Sequence, residues 1–215
     1  MPVAAAETRP GSWRARLPVE ERPGRRAQRT TVVVGSPEFP VDSVLDLPDH
    51  RRPSGWRLAV RADVDGGRVH AVEVDLPGIP LCWYVELPEP DAGPAANTLV
   101  AFSDPRYAEG TVLDAREAAA AGVSGAQQVA AIRWWPESGL VHQLYVVPAQ
   151  RRRGLGRKIA TAAFGVQLAH GLPDLHGDGR RTELGEAWRA SLPDGMAARM
   201  APWSQVLPPM TPVSA

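Results

Sequence analysis

The sequence predicts an α+β fold of mixed α/β type, in which a mostly antiparallel central sheet is flanked by helices. Short segments rich in Val, Leu and aromatic residues alternate with turn residues throughout the chain. One pair of these segments is joined by a Pro-Glu-Ser-Gly turn at 136–139, and a long amphipathic helical pattern follows it. A chain of 215 residues can bury one sizeable core, so we expect one domain.

The bulk composition argues against several classes of partner and cofactor. The 24 Lys and Arg residues balance 24 Asp and Glu residues, so no global positive field is available to attract nucleic acid or an anionic membrane. The single cysteine, Cys82, lies in an apolar run, which favours a buried structural role. No spacing of His, Cys and carboxylates resembles a metal site, and we interpret His170 and His176 as polar residues at a helix end. No apolar run is long enough for a signal peptide or a membrane span, so we expect a cytoplasmic protein.

The two ends of the chain differ in composition from its middle. Residues 1–28 mix Ala, Pro, Gly, Arg and Glu, and Trp13 and Leu17 are their only large apolar side chains. Because so few apolar groups cannot offset the entropy of ordering, we expect a flexible or partner-docked arm. The folded domain is expected over residues 29–206, followed by a loose proline-rich tail over 207–215.

The first half of the domain predicts an antiparallel meander. Its expected strands cover residues 30–35, 56–62, 69–76, 81–87 and 97–102. The sequence Asp-Val-Asp-Gly-Gly at 63–67 predicts a hairpin turn between the second and third of these strands. Asp114 is a predicted N-cap for a short helix that ends at Gly122.

The second half contains the clearest hairpin, which we expect over residues 126–135 and 140–147. Its second strand leads into a helix of about residues 156–170, whose apolar stripe stops at Gly171. A further helix is expected to begin after Thr182, because a threonine at that position can cap the first turn.

The junction between the hairpin and the long helix carries the strongest functional signal. It includes the run Gln-Arg-Arg-Arg-Gly-Leu-Gly-Arg-Lys at 150–158. Gly154 and Gly156 lack the side chains that would hold an anion away from the backbone. The first turn of the helix adds unpaired N–H groups and the positive end of its dipole. The junction therefore predicts a phosphate-binding turn.

Two common phosphate motifs fit this junction poorly. The dinucleotide fingerprint needs Gly or Ala at position 159, which is Ile, and a P-loop needs Gly before Lys158 and Ser or Thr after it. An arginine-rich surface turn, or a patch for nucleic acid, is the alternative explanation, although no nucleic-acid-binding motif accompanies the arginines. Lys158, the only lysine, is expected either to contact a phosphate or to lie on a solvated helix face.

The pattern of Val146, Pro148, Arg151, Gly154 and Gly156, set between a strand and a helix, resembles the acyl-CoA pyrophosphate loop of the GNAT superfamily of acyl-CoA-dependent N-acetyltransferases. The resemblance extends over roughly residues 30–205, and the Arg-Thr-x-x-Gly-x-Ala-Trp string at 181–188 looks like one in little-characterised members from high-GC bacteria and their phages. It implies an enzyme that transfers an acetyl group from acetyl-CoA to an amine by direct attack, without a covalent enzyme intermediate.

The resemblance also implies a role for each residue of the junction. The pantetheine arm of acetyl-CoA would pair with the backbone of Leu144 and Val146, and the pyrophosphate would meet the loop that follows. The loop residues implied in cofactor binding are Arg151, Arg152, Arg153, Gly154, Leu155, Gly156 and Arg157. His142 is the candidate catalytic base, since strand alternation would place it on the face of Leu144 and Val146; a structural strand histidine is the competing interpretation. Glu137 is a weaker candidate base.

The resemblance does not extend to the general acid or to the acceptor. Relatives place a Tyr after the loop, in a Tyr-x-x-x-Gly-Phe string, whereas this chain offers Trp188, whose indole is not acidic enough to protonate a thiolate. A catalytically weak or silent acyl-CoA-binding module is therefore the alternative function.

We expect a small-molecule or peptide amine acceptor, a possible homodimer, and neither a membrane nor a nucleic-acid partner. Trp83, Tyr84, Trp134 and Trp135 are expected to line an acceptor groove or to pack in the core.

Overall fold

The computed structural model describes residues 11–21 and 23–208, in which the chain forms two five-stranded sheets, one two-stranded sheet and four α-helices. The strands are β1 Trp13–Arg16, β2 Gln28–Val34, β3 Val44–Asp46, β4 Trp56–Asp63, β5 Val69–Val74, β6 Trp83–Glu89, β7 Ala96–Phe102, β8 Val112–Leu113, β9 Ala130–Trp135, β10 Leu140–Val146, β11 Arg180–Arg181 and β12 Gln205–Val206. The helices are α1 Ala115–Ala120, α2 Leu155–Ala169, α3 Glu183–Ala190 and α4 Asp194–Ala197.

The predicted α+β class with mostly antiparallel pairing is confirmed, but the sheets dominate and the helices are few. Most of the predicted tail over 207–215 lies outside the described residues.

The first sheet has the strand order β3-β1-β2-β4-β5. Its neighbours pair antiparallel, except for β1 and β3, which are parallel. β4 and β5 form the hairpin that the sequence predicts, and Gly66 in its turn has a φ of 73°, a conformation that favours glycine. The inward faces of β4 and β5 carry Leu58, Val60 and Val72, which are almost fully buried.

The first strand, β1, corrects the predicted flexible arm over residues 1–28. Trp13 and Ala15 are 2% and 0% exposed, and they pack with Val32 on the face of the first sheet opposite α2. β1 also pairs with β2 along its whole length. Composition misled the prediction because one buried indole and a strand partner stabilise a segment that is otherwise polar. Residues 1–10 of the predicted arm lie outside the described part of the chain.

The second sheet has the strand order β10-β9-β7-β6-β8, with β6 and β8 parallel and the other neighbours antiparallel. The predicted hairpin of β9 and β10 is confirmed, although its first strand begins at Ala130, because Gly125–Gln127 form a short 3-10 helix. An antiparallel bridge between Ala71 and Thr111 links β5 of the first sheet to the chain that enters β8. The two sheets therefore lie edge to edge.

Both sheets pack against α2, which is the central helix of the fold. One hydrophobic cluster contains buried side chains from both sheets and from the inner side of α2, among them Ile159, Ala162 and Val166. The indole of Trp134 donates to Gln167 Oε1 at 2.8 Å, so a polar atom inside this core is paired as well. This packing fixes the N-terminus of α2 next to the end of β10.

Of the three longest helices, two begin with a side-chain cap and one does not. Asp114 caps α1, as predicted, by accepting from the Glu117 N–H at 2.7 Å, and Thr182 caps α3, as predicted, by accepting from the Gly185 N–H at 3.0 Å. The N-cap of α2 is Gly154, which provides no side-chain cap. The first turn of α2 therefore presents backbone N–H groups that no capping side chain satisfies.

Candidate functional site

The candidate site is the connection between β10 and α2, which has the predicted order of strand, turn and helix. After Val146 the chain forms a short 3-10 helix, Pro148–Gln150, and then turns sharply. Arg152 has a φ of 59° and Gly154 a φ of 80°, both in the left-handed region. The helical hydrogen bonding of α2 starts with Lys158 N to Gly154 O at 3.0 Å, so the N–H groups of residues 155–157 have no intrahelical acceptor. Such a turn can bind an anion.

Both glycines of the turn also have neighbours that a side chain would collide with. A Cβ atom on Gly154 would lie 2.3 Å from Cδ1 of Ile79. A Cβ atom on Gly156 would lie 3.0 Å from Nε1 of Trp188 and 3.6 Å from Cδ2 of Leu144. A side chain at position 154 would therefore force Ile79 to move, and one at position 156 would displace the Trp188 ring by a few tenths of an ångström, whatever binds to the turn. These contacts have no local sequence signal, because Ile79 lies far from the turn in the chain.

The loop arginines differ in what they contact. Arg151 donates from Nε to the Val146 carbonyl oxygen at 3.0 Å, which ties the turn back to the end of β10. Arg153 donates from Nη1 to Oε1 of Gln150 at 2.5 Å on the surface, and Arg152 is exposed. Arg157 is half-buried in the first turn of α2. The side chains of Arg152 and Arg153 thus remain accessible to an anion in solvent.

Lys158 has neither of the two roles expected from the sequence. Its side chain is 2% exposed, and its Nζ lies 2.6 Å from Oε1 of Glu109 and 2.8 Å from the carbonyl oxygen of Pro80. The other oxygen of Glu109 accepts from the Cys82 N–H at 2.7 Å. Burial raises the pKa of the Cys82 thiol to about 11, so this cysteine is unreactive at neutral pH, in accord with the structural role expected for it. Lys158 therefore fixes α2 to the segment that precedes β6.

The strand β10 is the outer strand of the second sheet and contains a bulge. Val141 pairs with Trp134 and Gln143 with Arg133, so His142 is the extra residue between them. The Val147 N–H donates to Val129 O, which places the backbone groups of residues 143, 145 and 147 toward β9. The backbone groups of Leu144 and Val146 therefore point away from the sheet, where an extended ligand could pair with them.

The bulge corrects the predicted orientation of His142. The imidazole stacks on the ring of Trp135, with ring centroids 5.3 Å apart and planes inclined by 22°. Trp135 follows the core residue Trp134 and so points to the opposite face of β9, away from α2. His142 consequently lies on that face, whereas Leu144 packs against the core on the α2 side. The prediction was wrong because simple alternation assumes a strand without a bulge. His142 itself is exposed.

Beyond α2 the chain returns to β10 and then diverges from it. Leu140 and His176 form a parallel bridge, with the Val141 N–H donating to His176 O at 2.8 Å and the His176 N–H donating to Gly139 O at 2.9 Å. Four residues later the returning chain pairs with β12 instead, through Arg180 and Gln205. The returning chain therefore pairs only with the start of β10, next to the outward-facing backbone of Leu144 and Val146.

Most of the aromatic residues considered for an acceptor groove belong to the core. Trp83, Tyr84 and Trp134 are at most 1% exposed. Trp135 is partly exposed and carries the His142 ring. Glu137, the weaker candidate base, is exposed in the hairpin turn. Of these four aromatic residues, only Trp135 lies at a surface that also holds a candidate catalytic group.

The opposite end of α2 is held by a half-buried histidine. His170, the C-cap of α2, donates from Nδ1 to Gly66 O at 2.8 Å and from Nε2 to Oε1 of Glu86 at 2.9 Å. The Gly66 carbonyl oxygen can only accept, so Nδ1 carries a proton, and Nε2 donates to the Glu86 carboxylate when the ring is protonated. The hydrogen bond to Glu86 raises the pKa of His170, against the opposing effect of burial. The predicted position at a helix end is confirmed, and the side chain joins both sheets to α2.

Other surface features lie away from the β10–α2 turn. Two adjoining cavities, of about 370 and 200 Å³, lie on the first sheet and share Glu20, Thr30 and Arg52. Arg52 is already paired there with Glu73 through two hydrogen bonds. In the part of the chain that the structure describes, no group of three or more His, Cys, Asp or Glu side chains is arranged to hold a metal ion.

Among residues 11–21 and 23–208, no helix combines the length and the apolar composition that crossing a bilayer requires. No protein-family model, no curated protein and no solved structure matches the chain. Any functional conclusion therefore depends on the geometry around β10 and α2.

Proposed function

We propose that this protein is an acyl-CoA-dependent N-acyltransferase that transfers an acetyl group from acetyl-CoA to an amine. The observation that carries the proposal is the open edge of β10, which lies between a bulge at His142 and an uncapped helix N-terminus at Gly154. The same arrangement underlies the resemblance to GNAT acetyltransferases, and the crossover from β10 through α2 to a diverging parallel segment agrees with it.

The backbone of β10 is suited to bind the pantetheine arm. Pantetheine is an extended chain with two amide groups, which can pair with a strand edge as a peptide does. The outward N–H and C=O groups of Leu144 are available for this pairing, and the carbonyl of Val146 already accepts from Arg151. An extended ligand on this edge would end at the turn, where its phosphates meet the amides of residues 155–157 and the charges of Arg152 and Arg153.

The chemistry requires a base and a polarised carbonyl. The acceptor nitrogen attacks the thioester carbon, the new C–N bond replaces the C–S bond, and the thiolate of CoA leaves with the electron pair. His142 is the candidate that accepts the amine proton, because it is exposed at the bulge beside the pantetheine edge. An outward N–H of β10 would stabilise the charge that develops on the carbonyl oxygen.

A catalytically silent acyl-CoA-binding module is the second candidate function. It is favoured by Trp188, because the resemblance matches this residue to the region where GNAT enzymes carry a proton-donating tyrosine, and indole cannot supply that proton. Such a module would bind acetyl-CoA without releasing thiol in the presence of any amine.

Calorimetric titration with acetyl-CoA tests the binding step. Arg152→Asn combined with Arg153→Gln removes both accessible charges, and asparagine tolerates the left-handed backbone at 152. We expect the affinity to fall about tenfold or more, since charge-assisted contacts to phosphate are lost. The matched control, Arg25→Gln with Arg51→Gln, removes two other exposed charges and should change the affinity less than about twofold. Absence of binding by the folded wild type would refute the proposal.

Thiol release with a panel of amines tests the chemical step. His142→Ala should lower turnover by about 10²-fold or more while acetyl-CoA binding is retained. Glu137→Gln, which removes the other candidate base, should leave turnover unchanged. Wild-type turnover in His142→Ala would exclude His142 as the base, and binding without turnover by the wild type would favour the silent module.

A further inference from the structure

The segment that contains α3 concentrates hydrogen-bond donors that lack an acceptor. Among the described residues, seven buried side-chain nitrogen or oxygen atoms have no hydrogen-bond partner, and three of these belong to Arg181, Trp188 and Arg189. All three atoms are N–H groups: Nη1 of Arg181, Nε1 of Trp188 and Nε of Arg189. Buried donors without a partner are rare and costly in folded proteins, so a cluster of them needs an explanation.

The chain itself does not provide enough acceptors for this cluster. Glu186 accepts from Nε of Arg181 at 2.8 Å and from Nη1 of Arg189 at 3.3 Å. Arg181 also donates from Nη2 to the Ala201 carbonyl oxygen at 3.0 Å, and its side chain is only 7% exposed. One carboxylate and one carbonyl thus serve two guanidinium groups and leave Nη1 of Arg181 and Nε of Arg189 without an acceptor.

Trp188 connects this cluster to the turn at α2. Its Nε1 lies 3.0 Å from the position of a Cβ atom on Gly156, closer than any other atom outside the immediate chain neighbours. A Cβ direction points sideways from a helix, whereas the N–H groups of the first turn point along the axis. The indole therefore lies against the side of the first turn of α2, at one of the three residues whose N–H groups have no intrahelical acceptor. Gly156 is the residue that allows it to approach.

We propose that Trp188 is a ligand-binding residue, whose indole N–H donates a hydrogen bond to a phosphate oxygen held at the first turn of α2. The inference rests on the proposed function, because it takes the pyrophosphate of acyl-CoA as the anion. It assigns α3 the role of a second wall of the cofactor site, opposite the loop of Arg152 and Arg153. Trp188 serves in binding and does not transfer a proton.

The substitution Trp188→Phe tests this role, since phenylalanine keeps an aromatic ring against Gly156 and removes the N–H. Because Nε1 has no acceptor within the chain, the variant should melt at the wild-type temperature or above it. Its affinity for CoA should fall about tenfold, the effect expected for one hydrogen bond to a charged group. Its affinity for pantetheine, which lacks the phosphates, should not change. A purely structural tryptophan would give the reverse: a lower melting temperature and unchanged CoA affinity.

Trp203→Phe is the matched control, because the indole of Trp203 already donates to the carbonyl oxygens of Gln205 and Arg181 at 3.2 and 3.4 Å. It should bind CoA as the wild type does. Equal CoA affinity in Trp188→Phe and wild type, or equal losses for CoA and pantetheine, would overturn the phosphate contact.

Titration with inorganic pyrophosphate separates the two proposals. If the wild type binds pyrophosphate and not CoA, and Trp188→Phe weakens that binding, the anion site stands and the acyltransferase proposal fails. If the wild type binds neither, both proposals fail.

Discussion

The contact between Gly154 and Ile79 gives a prediction whose magnitude can be worked out from the structure. Gly154 has a φ of 80°, and a Cβ atom at this position would lie 2.3 Å from Cδ1 of Ile79. Gly154→Ala therefore introduces two separate costs. The left-handed backbone costs about 1–2 kcal/mol with an alanine, and overpacking against Ile79 costs about 1–3 kcal/mol. The free energy of unfolding should fall by roughly 2–5 kcal/mol in total.

A control glycine separates the two costs. Gly171 has a φ of 68°, lies just beyond the other end of α2, and has open space where a Cβ atom would stand. Gly171→Ala should therefore lose only the backbone part, about 1–2 kcal/mol. Combining Gly154→Ala with Ile79→Ala relieves the collision. The double variant should therefore lose about 1–3 kcal/mol less unfolding free energy than the two single variants lose in sum.

Urea denaturation of the wild type and the four variants measures these free energies. If Gly154→Ala and Gly171→Ala cost the same, the contact with Ile79 has no energetic weight and the packing explanation for Gly154 is refuted. The result also matters for functional tests. A bulky side chain at Gly154 would disturb loop packing and ligand binding together, so Arg152 and Arg153 are the cleaner positions for testing phosphate binding.

Two further predictions concern the polar groups at the ends of α2. Lys158→Met should lower the free energy of unfolding by about 2–4 kcal/mol, because it leaves the Glu109 carboxylate without its buried partner. The acetyl-CoA affinity of this variant, measured by calorimetry, should stay within about twofold of the wild type. A folded variant that has lost its affinity for acetyl-CoA would instead identify Lys158 as a phosphate ligand. His170 has a raised pKa, so the stabilisation from its ion pair with Glu86 should be complete below the unfolded pKa of about 6.5 and disappear as the pH rises through the folded pKa. The difference in unfolding free energy between wild type and His170→Gln, measured by urea denaturation from about pH 5.5 to 9, should shrink with rising pH, and a difference that grows would contradict the assignment.

The sequence alone determined the features that depend on neighbouring residues. The β9–β10 hairpin, the order of strand, turn and helix, and the caps at Asp114 and Thr182 are all present as predicted. Each of them follows from local rules, because turn residues, helical periodicity and side-chain caps act within a few positions of the chain. The candidate site could be located for the same reason.

Only the tertiary structure decided what surrounds that site. β1 is a strand because Trp13 finds a buried position against β2, and Lys158 is internal because Glu109 reaches it from another part of the chain. His142 changes face because β10 is bulged relative to β9, and Trp188 reaches Gly156 from α3. These outcomes depend on contacts between residues far apart in sequence, which no local pattern encodes.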